Sequence, residues 1–180
     1  MKNKKGFTLV ELMIVIVIIG ILAAMMMFSS TEAINEAKAT KIISNLEMLK
    51  KAALSYYADN YSRFRKQPLD TIESAKVKEY VGKNHSELGD YNFTMHYQNK
   101  EGLAIWWVFY HGNELKTNAK LREKLELKAK QHRLLRKTDE IPNLWEKQPL
   151  DTSFDQAFFE RNIYKANDGE NSNIVLLNIR

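Results

Sequence analysis

Residues 7 to 28 read FTLVELMIVIVIIGILAAMMMF, 22 residues carrying a single charge, Glu11, and preceded by MKNKKG with three lysines. As a helix this stretch spans about 33 Å, close to a bilayer hydrocarbon core of roughly 30 Å. Thirteen of its residues are Leu, Ile, Val or Phe. Each favours insertion by about 0.3 to 0.6 kcal/mol, against a cost of roughly 2.5 to 3.5 kcal/mol for one central charge. The segment is therefore expected to insert despite Glu11. Lys2, Lys4 and Lys5 bias the N-terminus to the cytoplasm by the positive-inside rule. One span results, N-in and C-out, with residues 29 to 180 on the far side.

The whole-chain averages conceal this segment. At 180 residues, 44% hydrophobic and 27% charged, the composition is that of an ordinary soluble domain, neither disordered nor multispan. The chain has no cysteine, which excludes disulfides, thiolate metal sites and a cysteine nucleophile, and says nothing of compartment. The apolar run is longer than a usual signal-peptide h-region and no A-x-A site follows it. A removed signal peptide is thus disfavoured relative to a lasting anchor or a leader cut before the run. An ionisable group inside a span is functional by default, and Glu11 lies near the positive end of the helix dipole.

Gly6-Phe7-Thr8-Leu9-Val10-Glu11-Leu12, after a short basic leader and before the apolar run, closely resembles the N-terminus of type IV pilins and type II secretion pseudopilins. The resemblance implies a leader of residues 1 to 6, cut by a prepilin peptidase between Gly6 and Phe7, with N-methylation of Phe7. It implies that Glu11 pairs with the free N-terminus of a neighbouring subunit during assembly. Apolar surroundings would sharpen such a pairing, since unit charges 4 Å apart are worth about 1 kcal/mol in water and about 4 at an effective dielectric of 20. The implied partners are the peptidase, homologous pilin subunits and an inner-membrane assembly platform. The implied location is the cytoplasmic (inner) membrane, then a pilus or pseudopilus in the periplasm or at the cell surface. Major subunits of the family usually carry a proline where this chain has Phe28. Without it, and with Gly20 as the only local source of flexibility, the helix is expected to run straighter through residues 20 to 30.

Beyond Phe28 the helical pattern continues. Ala39, Ile42, Leu46, Leu49, Ala53 and Tyr56 recur at spacings of three and four, which is one helix face. Tyr91, Phe93, Met95 and Tyr97 alternate with polar residues as a half-buried strand, and residues 103 to 110, LAIWWVFY, read as its hairpin partner across a turn at 99 to 102. Placing Gln98 opposite Leu103 sets Tyr91, Phe93, Met95 and Tyr97 against Tyr110, Val108, Trp106 and Ala104, an apolar face. The other face carries Leu103, Ile105, Trp107 and Phe109 and requires cover, by a helix or third strand in preference to another subunit. Residues 173 to 179, NIVLLNI, read as a further strand, and 114 to 137 and 153 to 165 as helices, the latter with Ser153 and Gln156 at capping-box spacing. The expected class is α+β: a long N-terminal helix packed on a small antiparallel sheet with additional helices, in an extracytoplasmic domain of residues 29 to 180. The hexapeptide KQPLDT occurs at 66 to 71 and again at 147 to 152, each time before an expected short helix.

Residues 114 to 137 hold nine basic residues and three acids, while 138 to 180 hold eight acids and four basic residues. A basic helix outside the membrane could neutralise DNA phosphates, with Lys124, Lys128 and Arg133 as contacts, as in a minor pilin of a DNA-uptake system. The preferred reading is a solvated helix that pairs with the acidic tail of its own chain or the next subunit, because the basic residues occur at all helical angles. His85, His96, His111 and His132 are scattered without ligand spacing. Asp168 and Glu170 lie in an oxygen-rich loop where a weak Ca²⁺ site is conceivable, although the spacing matches no EF-hand and a plain loop is preferred. No cofactor is otherwise implied, and no phosphate loop, carboxylate pair or catalytic triad emerges. The expected role is structural and not enzymatic. A signal-anchored adhesin or receptor that does not polymerise is the third class considered.

Overall fold

The computed structural model describes residues 6 to 61, 74 to 82, 88 to 97, 104 to 138 and 156 to 178. It opens with α1, Leu9–Asp59, a single helix of 51 residues. Thr8 caps it from an extended conformation, at φ −76° and ψ 154°. The helix passes Gly20 and Phe28 without interruption, consistent with the absence of a proline. Ser30 and Thr31 return their hydroxyls to the carbonyls of Met26 and Met27 at 3.0 and 3.1 Å, so polar groups just beyond the apolar run are satisfied within the helix.

The two halves of α1 meet different surroundings. From Leu9 to Met27 every large apolar side chain is exposed; Ile16, for instance, is 61% exposed. From Asn35 onward one face is buried, and the six residues picked out by periodicity, Ala39, Ile42, Leu46, Leu49, Ala53 and Tyr56, all belong to the core. Ile43 and Ala52 widen that face.

After α1 come α2 (Ser74–Glu79), β1 (Tyr91–Tyr97), β2 (Ala104–Tyr110), α3 (Glu114–Thr117), α4 (Ala119–His132), β3 (Leu134–Arg136), α5 (Gln156–Asn162), a 3-10 turn at Gly169–Asn173 and β4 (Val175–Asn178). The strands form one antiparallel sheet in the order β1-β2-β4-β3. The β1–β2 register pairs Tyr91 with Tyr110 and Tyr97 with Ala104, as the hydrophobic alternation requires. Tyr91, Phe93, Val108, Tyr110, Val175 and Leu177 face α1 and α4 in the larger core. The opposite face places Trp107, Phe109, Leu135 and Leu176 under Phe158 and Phe159 of α5. The cover that face needed is thus supplied by a helix of the same chain. The α+β class holds.

Three sequence expectations are corrected. The helix expected over 114 to 137 is two helices that break at Asn118 and stop at His132. Asn118 leaves the helical conformation because its side-chain oxygen accepts from the Leu121 backbone N–H at 3.0 Å, while its amide donates to the buried Asn35 at 2.7 Å. Arg133 then turns left-handed at φ 52°, and Leu134 and Leu135, buried on opposite faces, complete the sheet as β3. The C-terminal strand covers 175 to 178, with the 3-10 turn occupying 169 to 173. The helix expected over 153 to 165 is observed over Gln156–Asn162, after which Ile163 bridges to Leu135. The Ser153 cap, the 99 to 102 turn and both KQPLDT copies lie outside the described residues, although a short helix follows each copy, α2 and α5.

Candidate processing and assembly segment

Gly6, Phe7 and Thr8 precede the helix without regular structure and are exposed, Phe7 at 86%. Thr8 and Glu11 form a reciprocal capping box. The Thr8 hydroxyl accepts from the Glu11 backbone N–H at 3.2 Å, and Glu11 Oε2 accepts from the Thr8 backbone N–H and Oγ1, each at 2.8 Å. Two backbone donors that the helix leaves without partners are thereby satisfied. The carboxylate sits over the first turn, where the helix dipole presents its positive end. Glu11 is therefore held by its own chain, at the start of an exposed apolar helix. Thr8 was missed in the sequence, yet the T-x-x-E spacing of Thr8 to Glu11 before an apolar run was the signal that would have found it.

The basic helix is largely engaged with α1. Lys124 and Lys120 converge on Glu32, at 2.7 and 3.3 Å, and Lys128 meets Glu36 at 2.6 Å. The Glu32 carboxyl is held below its ordinary range, first by the hydrogen bond from Lys124 and then by that from Lys120. Lys38 reaches back to Glu114 at 2.8 Å, and His132 Nδ1 lies 3.0 Å from Glu47. Arg133 stacks on the Phe159 ring, 4.5 Å from its centroid. Lys124 and Lys128, four residues apart, lie on the side of α4 that faces α1, while Arg133 faces Phe159. The acidic partners of Lys124 and Lys128 are on α1 and not, as expected, in the tail. They were not legible because α1 and α4 are far apart in sequence.

Among the described residues of the tail, Asp168 pairs with Arg136, whose guanidinium also donates to the Arg161 carbonyl at 3.2 Å. Glu170 lies in the 3-10 turn. Among the described residues, no group of three or more His, Asp or Glu converges on one point. His111 is within 2.9 Å of the Asn92 amide, and His85 and the side chain of His96 lie outside the described residues.

One helix among the described residues, α1, is long and apolar enough to cross a membrane. This exposed apolar helix, with a capped acidic start and continuing into the core of an α+β domain, is a candidate membrane span. Residues 1 to 27 match the prokaryotic N-terminal methylation motif. The chain is similar to the type II secretion system core protein G of Klebsiella pneumoniae, 36% identical over 91 residues, which covers 49% of this chain and 64% of that protein. It is also similar to the type IV major alpha-pilin of Moraxella bovis, 38% identical over 87 residues, 48% of this chain and 52% of the relative. A fimbrial protein of Pseudomonas aeruginosa is 47% identical over 55 residues, 31% of this chain and 36% of the relative. The chain thus spans between about a third and two thirds of these relatives. No solved structure matches. The resemblance to type IV pilins and type II secretion pseudopilins is therefore shared by a family model and by curated relatives of both kinds.

Proposed function

We propose that the chain is a structural subunit of a type IV pilus or of a type II secretion-like pseudopilus, with no enzymatic role. Residues 1 to 6 are a leader, 7 to 28 anchor the precursor in the inner membrane with the N-terminus inside, and 29 to 180 form the extracytoplasmic domain. A prepilin peptidase cuts between Gly6 and Phe7, and Phe7 is N-methylated. An assembly platform then moves subunits from the bilayer into a filament whose core is made of the apolar half-helices. Glu11 pairs with the new amino terminus of a neighbouring subunit.

The observation that carries this reading is the division of α1. Its first half offers an apolar surface on all sides, and its second half is built into the domain core. Such a helix transmits position rigidly from a bilayer, or a bundle of like helices, to a domain outside it. The Gly6–Phe7 bond precedes the helix in an exposed segment, which supports access to it by a peptidase. Co-expression with a prepilin peptidase followed by mass spectrometry is expected to show a chain beginning at methylated Phe7; retention of Met1 to Gly6 would sink the processing step. The DNA-binding alternative is weakened by the engagement of Lys124 and Lys128 with Glu32 and Glu36. A non-polymerising adhesin or receptor would keep its N-terminus and form no filaments.

A further inference from the structure

Between the apolar run and the buried face of α1 lies a neck, Ser29 to Lys38, that meets the domain differently from either half. None of its apolar side chains is buried: Ala33, Ile34 and Ala37 are exposed, and the buried apolar face begins at Ala39. The buried residue of the neck is polar, Asn35, whose side-chain oxygen accepts from the Asn118 amide at 2.7 Å. Around it stand ion pairs: Glu32 meets Lys124 and Lys120, Glu36 meets Lys128, and Lys38 meets Glu114. The Glu32 and Glu36 side chains are 39% and 47% exposed, so water competes for both carboxylates. An exposed ion pair of this kind shifts a balance by about five-fold at most.

The neck is also bracketed by places where the helix bends easily. At its lower end the Ser30 and Thr31 hydroxyls return to the carbonyls of Met26 and Met27, and at its upper end the Thr40 hydroxyl returns to the Glu36 carbonyl at 3.0 Å. Such back-bonding slightly destabilises a helix and often bends it. From Ala39 to Tyr56 the helix is fixed, since its apolar face is built into the core. Residues Glu36 to Thr40 thus separate a segment bound by polar contacts from one bound by burial.

We propose that the neck and the facing side of α3 and α4 form a polar latch that sets the tilt of the domain on the apolar half-helix. Closed, the latch makes α1 one rod that transmits position rigidly from Leu9 to Asp59. Open, α1 bends near Thr40 and the domain re-aims without unfolding, because the neck gives up no apolar burial and its released polar groups are taken up by water. Opening is thus a local event, drawn from the low-stability end of the molecule. The use of this freedom, to let a domain seat itself as its subunit passes from a bilayer to a bundle of like helices, rests on the pilus or pseudopilus reading; the latch itself does not.

The chain has no cysteine, so spin labels can be placed at Ser29→Cys and Leu127→Cys, both exposed positions, in the full chain held in lipid nanodiscs. Pulsed electron resonance reads the distance between them. A kink of about 20° at Thr40 moves Ser29, about 16 Å away along the helix, by about 6 Å. The parent is expected to show one main distance at moderate salt. Glu32→Gln combined with Glu36→Gln should raise the ratio of shifted to main distance about ten-fold, and about 1 M salt should raise it in the parent. Glu47→Gln, which loses the pair with His132 beside the buried face, should leave the distance unchanged. Tryptophan fluorescence should remain that of the folded domain throughout. An unshifted distance in the double variant and at high salt overturns the latch, as does an equal response to Glu47→Gln. A shift that comes with loss of the folded fluorescence overturns local opening. These readings need neither cleavage nor a filament, so failure of the latch and failure of the pilus reading are separate results.

Discussion

Replacing Leu46 by Ala tests whether the second half of α1 belongs to the domain while the first half does not. Leu46 is fully buried, at 0% exposure, in the cluster that joins α1, α4 and the sheet. Truncating such a leucine costs about 2 to 5 kcal/mol, from lost transfer energy and the cavity left behind. That is a large share of the roughly 5 to 15 kcal/mol that holds a domain folded. With a urea slope of about 1 to 3 kcal/mol per molar, the unfolding midpoint should fall by about 1 to 2 M. Ile16→Ala, thirty residues earlier on the same helix, removes more side chain than it exposes and should stay within about 0.5 kcal/mol, because the side chain touches nothing in the domain. Tryptophan fluorescence of the detergent-solubilised chain is a suitable readout. Trp107 is fully buried on the far face of the sheet and senses loss of the whole domain and not only of the α1 contact. Equal shifts for the two variants would refute the division of α1 into a free half and a packed half. So would a Leu46→Ala midpoint within error of the parent.

Glu11→Ala should leave membrane insertion unchanged and cut incorporation into filaments, measured by shearing and immunoblotting; unaltered incorporation would remove the role given to Glu11. Thr8→Ala breaks the capping box and should fray the first turn, at about 0.5 to 2 kcal/mol for a lost cap, visible as faster amide exchange over residues 9 to 12. Gly112→Ala should destabilise the domain by about 1 to 3 kcal/mol, because an added Cβ would stand within 2.1 Å of the Tyr110 hydroxyl and that ring is buried; an unchanged melting midpoint would show that the ring can yield. Acidification tests the pairing of Glu32 with Lys124 and Lys120. The Glu32 carboxyl lies below its ordinary range in the folded chain, so its contribution is fully present above that range and is lost as pH falls through the folded value. Between about pH 5 and about pH 3, the parent should lose more stability than Glu32→Gln does; parallel losses would show that Lys124 and Lys120 do not hold it.

The charge asymmetry of the chain changes meaning once its parts are separated. Of 27 basic and 22 acidic residues, three lysines precede Phe7, so a chain cut there carries +2 and not +5. The remaining basic concentration is spent mainly against α1. Lys124, Lys120 and Lys128 meet Glu32 and Glu36, about ninety residues away in sequence. Among the described residues, Arg136 pairs with an acid of the tail, Asp168.

What the sequence alone determined is whatever depends on short periods and local chemistry. The apolar run of residues 7 to 28, the core face of α1 from Ala39 to Tyr56, and the β1–β2 register follow from spacings of 3.6 and 2 within a few residues of one another. The T-x-x-E box at Thr8 and Glu11 was equally local. The tertiary structure decided the rest. Leu134 and Leu135 left a helical pattern to become β3 because β4, forty residues later, offered a strand partner and cores on both faces. Helix periodicity could not reveal that partner, because propensity yields to pairing and burial. The break at Asn118 depended on Asn35, and the destination of Lys120 and Lys124 depended on Glu32. Each lies across a contact that exists only after α4 has folded back along α1, which is why the lysines could be counted in the sequence and not placed.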